Sequence, residues 1–249
     1  MSVFERPTQR WQEDPSGLVT PLGQHRPPGL VVIPVAENLR HTDFFSSFTQ
    51  LRIPKGSMTG VAKSASITGN LNRSIQQLKP HHRWVFILGD DHIFPPTLLE
   101  QLIDLQVDVA VPLCVRRAPP FELVCYREQV EDLDGSPGYL AYMPHEIPEH
   151  PFPVLAAGSA GMLISRRVID ALDYPYFENS HGAASNEDLH FCRKVRDAGF
   201  EIVCHPKAML GHIGQMHVWP VWKDGRLALM VDCGGPPGYN EVLIEDPAP

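Results

Sequence analysis

The residues best suited to chemistry stand at the end of an apolar run, Trp84-Val-Phe-Ile-Leu-Gly-Asp-Asp-His-Ile-Phe94. An unbroken stretch of valine, isoleucine, leucine and aromatic residues reads as a buried strand. Asp90, Asp91 and His92 at its tip are metal-capable, and packing does not account for them. Oxygen and imidazole donors suit a divalent cation. Ligands of open α/β sheets bind beyond the carboxyl ends of the strands, which makes this tip the first place to look for a site.

Two further groups carry suitable side chains. Asn186-Glu187-Asp188 opens a helical pattern. Acidic residues in a first turn complement the helix dipole, so a stabilised N-terminus explains them as well as a catalytic role does. His212 lies in Leu210-Gly-His-Ile-Gly214. A lone histidine is more often structural than ligating, but glycines on both sides leave its surroundings open.

The elements around these groups follow from apolar periodicity. Residues 30 to 35 read as a buried strand with an exit loop behind it. Thr42 is placed to cap a short helix through about residue 51, and a helix is expected from Ser64 to residue 79, ended by Pro80. Prolines in a first turn and leucines at helical spacing predict a helix over residues 95 to 105, followed by a strand over 107 to 113. Alternating strands and helices imply a mostly parallel sheet with helices on both faces. Beyond residue 114, short strand-like pieces at 121 to 126 and 139 to 142 lie among turn residues. Residues 156 to 165 read as a strand interrupted by glycines, which marks close backbone approach, and residues 166 to 172 as a short helix. A helix over 186 to 198, capped by Gly199, precedes a strand at 200 to 204.

Bulk properties narrow the function. A chain of 249 residues with 43% hydrophobic and 20% charged residues is an ordinary globular composition with ample core. A net charge of -8 argues against a nonspecific polyanion binder. The 5 cysteines form no CxxC pair, so reduced thiols in a cytoplasmic setting are the default expectation. The polar N-terminus does not resemble a signal peptide and no apolar run spans a bilayer, so stable membrane insertion is not expected.

Taken in order, the motifs resemble nucleotide-sugar-dependent glycosyltransferases of the GT-A fold, especially family-two-like members. Those enzymes have a strand ending in a DxD-type motif before Phe-Pro-Pro, here Ile87-Leu-Gly-Asp-Asp-His-Ile-Phe-Pro-Pro96. A glycine-bearing strand follows, here Gly158-Ser-Ala-Gly-Met-Leu-Ile-Ser-Arg-Arg167, and then a Glu-Asp pair opening a helix, here Glu187-Asp188. A histidine after the next strand completes the series, here His212. The resemblance covers roughly residues 30 to 222. One departure stands out: aligned on Phe94-Pro-Pro96, the first aspartate of the motif falls on Gly89. Shifted by one, Asp90-Asp91-His92 resembles the Asp-x-His motif of polypeptide N-acetylgalactosaminyltransferases, in which a later histidine completes the metal site.

The resemblance implies a GT-A, Rossmann-like α/β fold with a smaller mixed region on the acceptor side. It implies an irregular arm at 1 to 28, a catalytic domain at 29 to 222 (nucleotide-binding half 29 to 113, acceptor-binding half 114 to 222) and a tail at 223 to 249. Mn²⁺ or Mg²⁺ would be held by Asp91 and His212, with His92 or Asp90 as a further ligand. Pro34, Val35, Ala36 and Glu37 would hold the nucleoside of a nucleotide-diphosphate donor, UDP being the commonest choice. Arg73 would approach the nucleotide, unless it lies on a solvated helix face, and Gly161 would admit the donor sugar. Arg116 and Arg117 would meet phosphate or acceptor, or form a surface pair. Trp219 and Trp222 would stack on sugar or simply pack. Asp188, or failing it Glu187, would be the general base toward a hydroxyl acceptor in an inverting reaction, or would position the acceptor in a retaining one. Two alternatives remain at this level: a nucleotide-sugar-binding protein of the same fold without transferase activity, and, ranked last, a zinc hydrolase built on Asp91, His92 and His212.

Overall fold

The computed structural model describes residues 26–35, 41–131, 137–179, 187–214, 217–223, 226–232 and 241–244. The first half contains β1 (Leu30–Pro34), α1 (Thr42–Gln50), β2 (Met58–Ala62), α2 (Ile67–Gln76), β3 (Trp84–Ile87), β4 (His92–Ile93), α3 (Leu98–Asp104) and β5 (Val109–Cys114). The second half contains β6 (Cys125–Glu131), β7 (Pro137–Ala141), β8 (Phe152–Pro153), β9 (Ala156–Ala157), β10 (Met162–Ser165), α4 (Arg166–Ala171), α5 (Glu187–Asp197) and β11 (Ile202–His212). Three strands close the chain: β12 (His217–Lys223), β13 (Arg226–Asp232) and β14 (Glu241–Ile244).

The main sheet runs in the order β2-β1-β3-β10-β5-β11-β4, with β8 alongside β11. β1 is parallel to β2 and β3, and β11 is parallel to β5, while β10 runs antiparallel between β3 and β5. Successive side chains point to opposite faces of a strand. Leu30, Val32, Val85, Ile87, Val109 and Val111 therefore feed one core layer, and Val31, Ile33, Phe86, Leu88 and Ala110 feed the other. This is why these strands read as continuous apolar runs. Leu71 and Ile75 of α2 and Phe191 and Val195 of α5 cover the first face. Phe44 of α1 and Leu98, Leu99 and Leu102 of α3 cover the second.

Two smaller antiparallel sheets, β7-β6-β9 and β12-β13-β14, lie outside this frame. The boundary expected at residue 222 falls inside β12, and the segment expected as a tail carries β13 and β14. The strand expected over 156 to 165 is two strands in different sheets, because Gly161 at φ +74° turns the chain between them. β2 lay outside the sequence reading altogether. The helix expected from Ser64 starts at Ile67, with Ser66 capping it by accepting from the Gly69 amide. Likewise His41, not Thr42, is the N-cap of α1. No helix among the described residues is long and apolar enough to cross a membrane.

Candidate active site

β3 ends at Ile87, and the chain passes through Leu88-Gly-Asp-Asp91 into the two-residue strand β4. β4 pairs antiparallel with the far end of β11, and the register sets His92 directly opposite His212. Directly paired residues project from the same face. The two imidazoles accordingly stack, with ring centroids 4.2 Å apart. The Ile213 amide donates to the Asp91 carbonyl at 2.8 Å and locks the turn to the strand. Residues 120 positions apart in sequence thus meet through backbone pairing alone.

Asp91 contacts one nitrogen of each of the two stacked rings. Its Oδ2 lies 3.0 Å from His212 Nε2, and its Oδ1 lies 2.8 Å from His92 Nδ1. Burial by itself would raise the Asp91 carboxyl; the hydrogen bond with His212 and the nearness of both imidazoles outweigh it and hold the group well below the usual carboxylate range. Burial also pulls His212 down, but Asp91 and the Val115 carbonyl leave it above its ordinary value. Arg117 stands 3.7 Å from Asp91, at the exposed rim.

The His212 contacts define its tautomer. Nδ1 lies 3.0 Å from the Val115 carbonyl, which can only accept, so Nδ1 carries the proton. In the neutral ring the Nε2 lone pair then faces the Asp91 carboxylate. Two acceptors aimed at each other need a cation, either a proton or a metal ion. Donors bonded to one cation at about 2.1 Å and at right angles sit about 3 Å apart, which matches the Asp91–His212 separation. His92 is 3% exposed; its Nδ1 faces Asp91 Oδ1 at 2.8 Å, and its Nε2 has no hydrogen-bond partner among the described residues. A buried imidazole left in this state is costly unless something is ligated there. The donor set therefore fits a divalent cation. Asp90 is half-buried in the same turn.

Gly89 explains the departure from the usual motif. A Cβ at this position would lie 2.7 Å from His92 Nδ1 and 2.9 Å from its Cε1. The imidazole occupies the space that a side chain at 89 would need.

Cys114 was absent from the sequence-based set. β5 pairs with β11 so that Cys114 stands opposite Leu210, two residues before His212. One ligand atom each from His92, Cys114 and His212 lie within 4.8 Å of one another. Burial pushes the Cys114 thiol up to about 12. A thiol at the end of a buried strand looks like ordinary core in sequence; applying the strand-tip argument to this strand as well would have found it.

Asp188 occupies the first turn of α5 and is enclosed. Burial pushes its carboxyl up to about 6, Glu187 adds to the shift, and Ser159 opposes it. Oδ1 is buried with no hydrogen-bond partner. This is unlike a carboxylate that merely complements a helix dipole, which would be exposed and lowered. A cavity of about 570 Å³ is lined by both Asp188 and His212, with Arg116, Tyr126, Gly158 and Leu189 among its walls. Arg116 donates to the Tyr126 hydroxyl at 3.3 Å, which fixes its position in the wall. Glu187 does not line this cavity.

Other expected residues fall elsewhere. Arg73 is exposed and donates to the Lys63 carbonyl at 2.6 Å. It is not among the residues that line the cavity. At Gly161 a Cβ would meet Pro112 Cγ at 2.6 Å and Leu210 Cδ2 at 3.1 Å. Packing against Pro112 and Leu210 and the positive φ thus account for a glycine here. Pro34 ends β1. The Val35 amide donates to the Ala62 carbonyl and its own carbonyl accepts from buried Asn70 at 2.9 Å, so the exit of β1 is held firmly. Ala36, Glu37 and Asn186 lie outside the described residues, and Trp219 and Trp222 lie on β12.

Similarity to known proteins gives the family and the fold. The model of a family described as glycosyltransferase like family 2 matches residues 22–224. Among solved structures, GalNAc-T7 with UDP, GalNAc and Mn²⁺ matches with a TM-score of 0.50 at 11% identity, over 81% of this chain and 45% of that one. This likeness shows the mixed α/β GT-A fold; the chain spans less than half the length of that protein. A197 from STIV matches at 14% identity and a TM-score of 0.49, over 89% of this chain and 96% of that one. Residues 1-349 of S. aureus TarS match at 12% identity and 0.47, over 75% and 60%. No curated protein matches at a significant level.

Proposed function

The chain belongs to glycosyltransferase-like family 2, and from that premise we propose that it transfers a sugar from a nucleotide-diphosphate donor to a hydroxyl acceptor in a metal-dependent, inverting reaction. The observation that carries this reading is the shared cavity: His212, the hydrogen-bond partner of Asp91, and Asp188 both line it. A leaving group and a base must stand on either side of the reacting carbon in a single displacement.

Asp91, His92 and His212 would hold Mn²⁺ or Mg²⁺. Such a cation supplies Lewis-acid stabilisation of the diphosphate charge that grows as the glycosidic bond breaks. The protein's own residues do the rest. The Val115 carbonyl keeps the Nε2 lone pair of His212 directed at the site. Arg117 and Arg116, at the cavity mouth, add positive charge toward the phosphates. Asp188, which lines the cavity and is ionised above its raised pKa, would accept the proton of the acceptor hydroxyl. The pKa near the working pH suits a general base.

UDP is proposed as the nucleotide, on the family resemblance and because GalNAc-T7 is described with UDP and Mn²⁺. The binding-only alternative rested on the missing first aspartate; the overlap of residue 89 with His92 gives that absence a different account.

The experiment is a donor panel. Purified protein with Mn²⁺ is incubated with nucleotide sugars and simple acceptors, and nucleoside diphosphate release is measured. Release with one donor, lost on chelation, supports the reading. Donor binding without release across donors and acceptors returns the binding-only alternative, and binding of no donor rejects the proposal.

A further inference from the structure

We propose that Cys114 turns this site into a high-affinity Zn²⁺ site with four protein ligands, Asp91, His92, Cys114 and His212, and that zinc bound in this way shuts out the diphosphate. The inference starts from two independent observations. His92, Cys114 and His212 bring ligand atoms within 4.8 Å of one another at the ends of three neighbouring strands. His92 is 3% exposed, and its Nε2 is buried with no partner among the described residues while Nδ1 faces Asp91 at 2.8 Å.

The chemistry of the set differs from that of a site for Mn²⁺ or Mg²⁺, which take mainly oxygen. Two imidazoles, one thiolate and one carboxylate form a donor set that Zn²⁺ prefers, at about 2.0–2.3 Å in tetrahedral geometry. Ligand atoms of such a site lie roughly 3.3–3.8 Å apart, so the His92, Cys114 and His212 atoms, now within 4.8 Å of one another, would close by up to about 1 Å, and Asp91, 3.0 Å from His212 Nε2, would complete the set. On binding, the Cys114 Sγ–H bond gives its proton to solvent and an Sγ–Zn bond replaces it. Catalytic zinc sites keep a position open, whereas sites with four protein ligands are closed. A cation closed in this way offers no position to a diphosphate oxygen. Zinc is thus an inhibitor that competes with the activating cation for shared ligands, and its affinity exceeds that of Mn²⁺ in the general order for nitrogen and sulfur donors. The exclusion of the diphosphate rests on the function proposed above; the thiolate ligation does not.

Two measurements on the whole chain test it. Stoichiometric Co²⁺, a spectroscopic stand-in for zinc, should give a thiolate-to-metal charge-transfer band. The band should vanish in Cys114→Ser and persist in Cys192→Ser, whose thiol is buried elsewhere against the Ala157 carbonyl. X-ray absorption of the zinc-loaded wild-type protein should show one sulfur at about 2.3 Å, and this readout decides the matter even if Cys114→Ser does not fold. A shell without sulfur, or a band undiminished in Cys114→Ser, overturns the site. With Mn²⁺ present, Zn²⁺ should weaken UDP binding by about tenfold or more in the wild type and far less in Cys114→Ser. Sulfur in the shell with UDP affinity unchanged by zinc overturns the exclusion. Absence of UDP binding under Mn²⁺ alone counts against the proposed function and leaves the zinc result standing.

Discussion

His92 fills the space that a side chain on residue 89 would occupy: a Cβ built on Gly89 falls 2.7 Å from the Nδ1 of the imidazole. A carboxylate at 89 and the present rotamer of His92 are mutually exclusive. The account therefore expects Gly89→Asp alone to displace the ring and weaken Mn²⁺ binding by roughly tenfold or more, the scale on which metal sites respond to disturbed ligands. Combining Gly89→Asp with His92→Ala should recover much of the affinity, because the carboxylate then has room. Metal titrations of the single and double variants read this directly; additive losses would mean that the two positions do not compete.

Asp188→Asn should spare donor binding while lowering transfer by about 10²–10⁴, the usual contribution of a positioned base. Transfer by the wild type should fall as pH drops through about 6, where the carboxyl takes up its proton. Initial rates with saturating donor give both results, and an equal loss of binding would assign Asp188 a role in holding the donor.

The same residue makes a stability prediction of defined sign. Its folded pKa, about 6, lies above the ordinary value of 3.8, so the folded state binds the proton more tightly than the unfolded state. Folding is favoured most when the carboxyl is protonated, and this advantage is lost as pH rises from about 4 through 6. Above that range the buried charge costs up to about 3 kcal/mol, so Asp188→Asn should melt higher than wild type at pH 7 and about equally at pH 4. Thermal melts at the two pH values check it.

Gly161→Ala should destabilise the fold by about 1–3 kcal/mol, from the contacts with Pro112 and Leu210 and from the positive φ. Denaturant unfolding measures the loss. Donor affinity of the folded protein should change little, since the affected contacts are internal; a selective loss of donor affinity would restore the expectation that this glycine faces the sugar.

Arg73→Ala should leave donor affinity unchanged within about twofold, because its guanidinium is engaged with the Lys63 carbonyl. Calorimetric titration of nucleotide is sufficient, and a larger drop would bring Arg73 back to the nucleotide.

What was legible in the sequence follows from which interactions are local. Strands β1, β3 and β5 are covered on both faces, so their apolar runs announce them. β2 did not announce itself: it is an edge strand, mostly exposed, with Gly60 at its centre and no alternation to detect. The Gly158–Gly161 stretch read as one strand because its apolar flanks are continuous, whereas the turn depends on packing against Pro112 and Leu210 from other strands. Asp91, His92 and His212 were placed together through the order of motifs. The means of bringing them together, the β4–β11 register, is a long-range pairing that no local pattern encodes. Cys114 enters by the same route, through the register of β5 with β11.

Asp91, His92 and His212 are proposed to hold the cation that meets a donor diphosphate. A crystal grown with Mn²⁺ and UDP, with anomalous data collected at the manganese edge, tests it most directly. The account predicts one strong anomalous peak within bonding distance of Asp91 Oδ2 and His212 Nε2, with His92 in its shell and the diphosphate oxygens on its open side. UDP bound with no metal at these residues, or a manganese peak elsewhere, would contradict it.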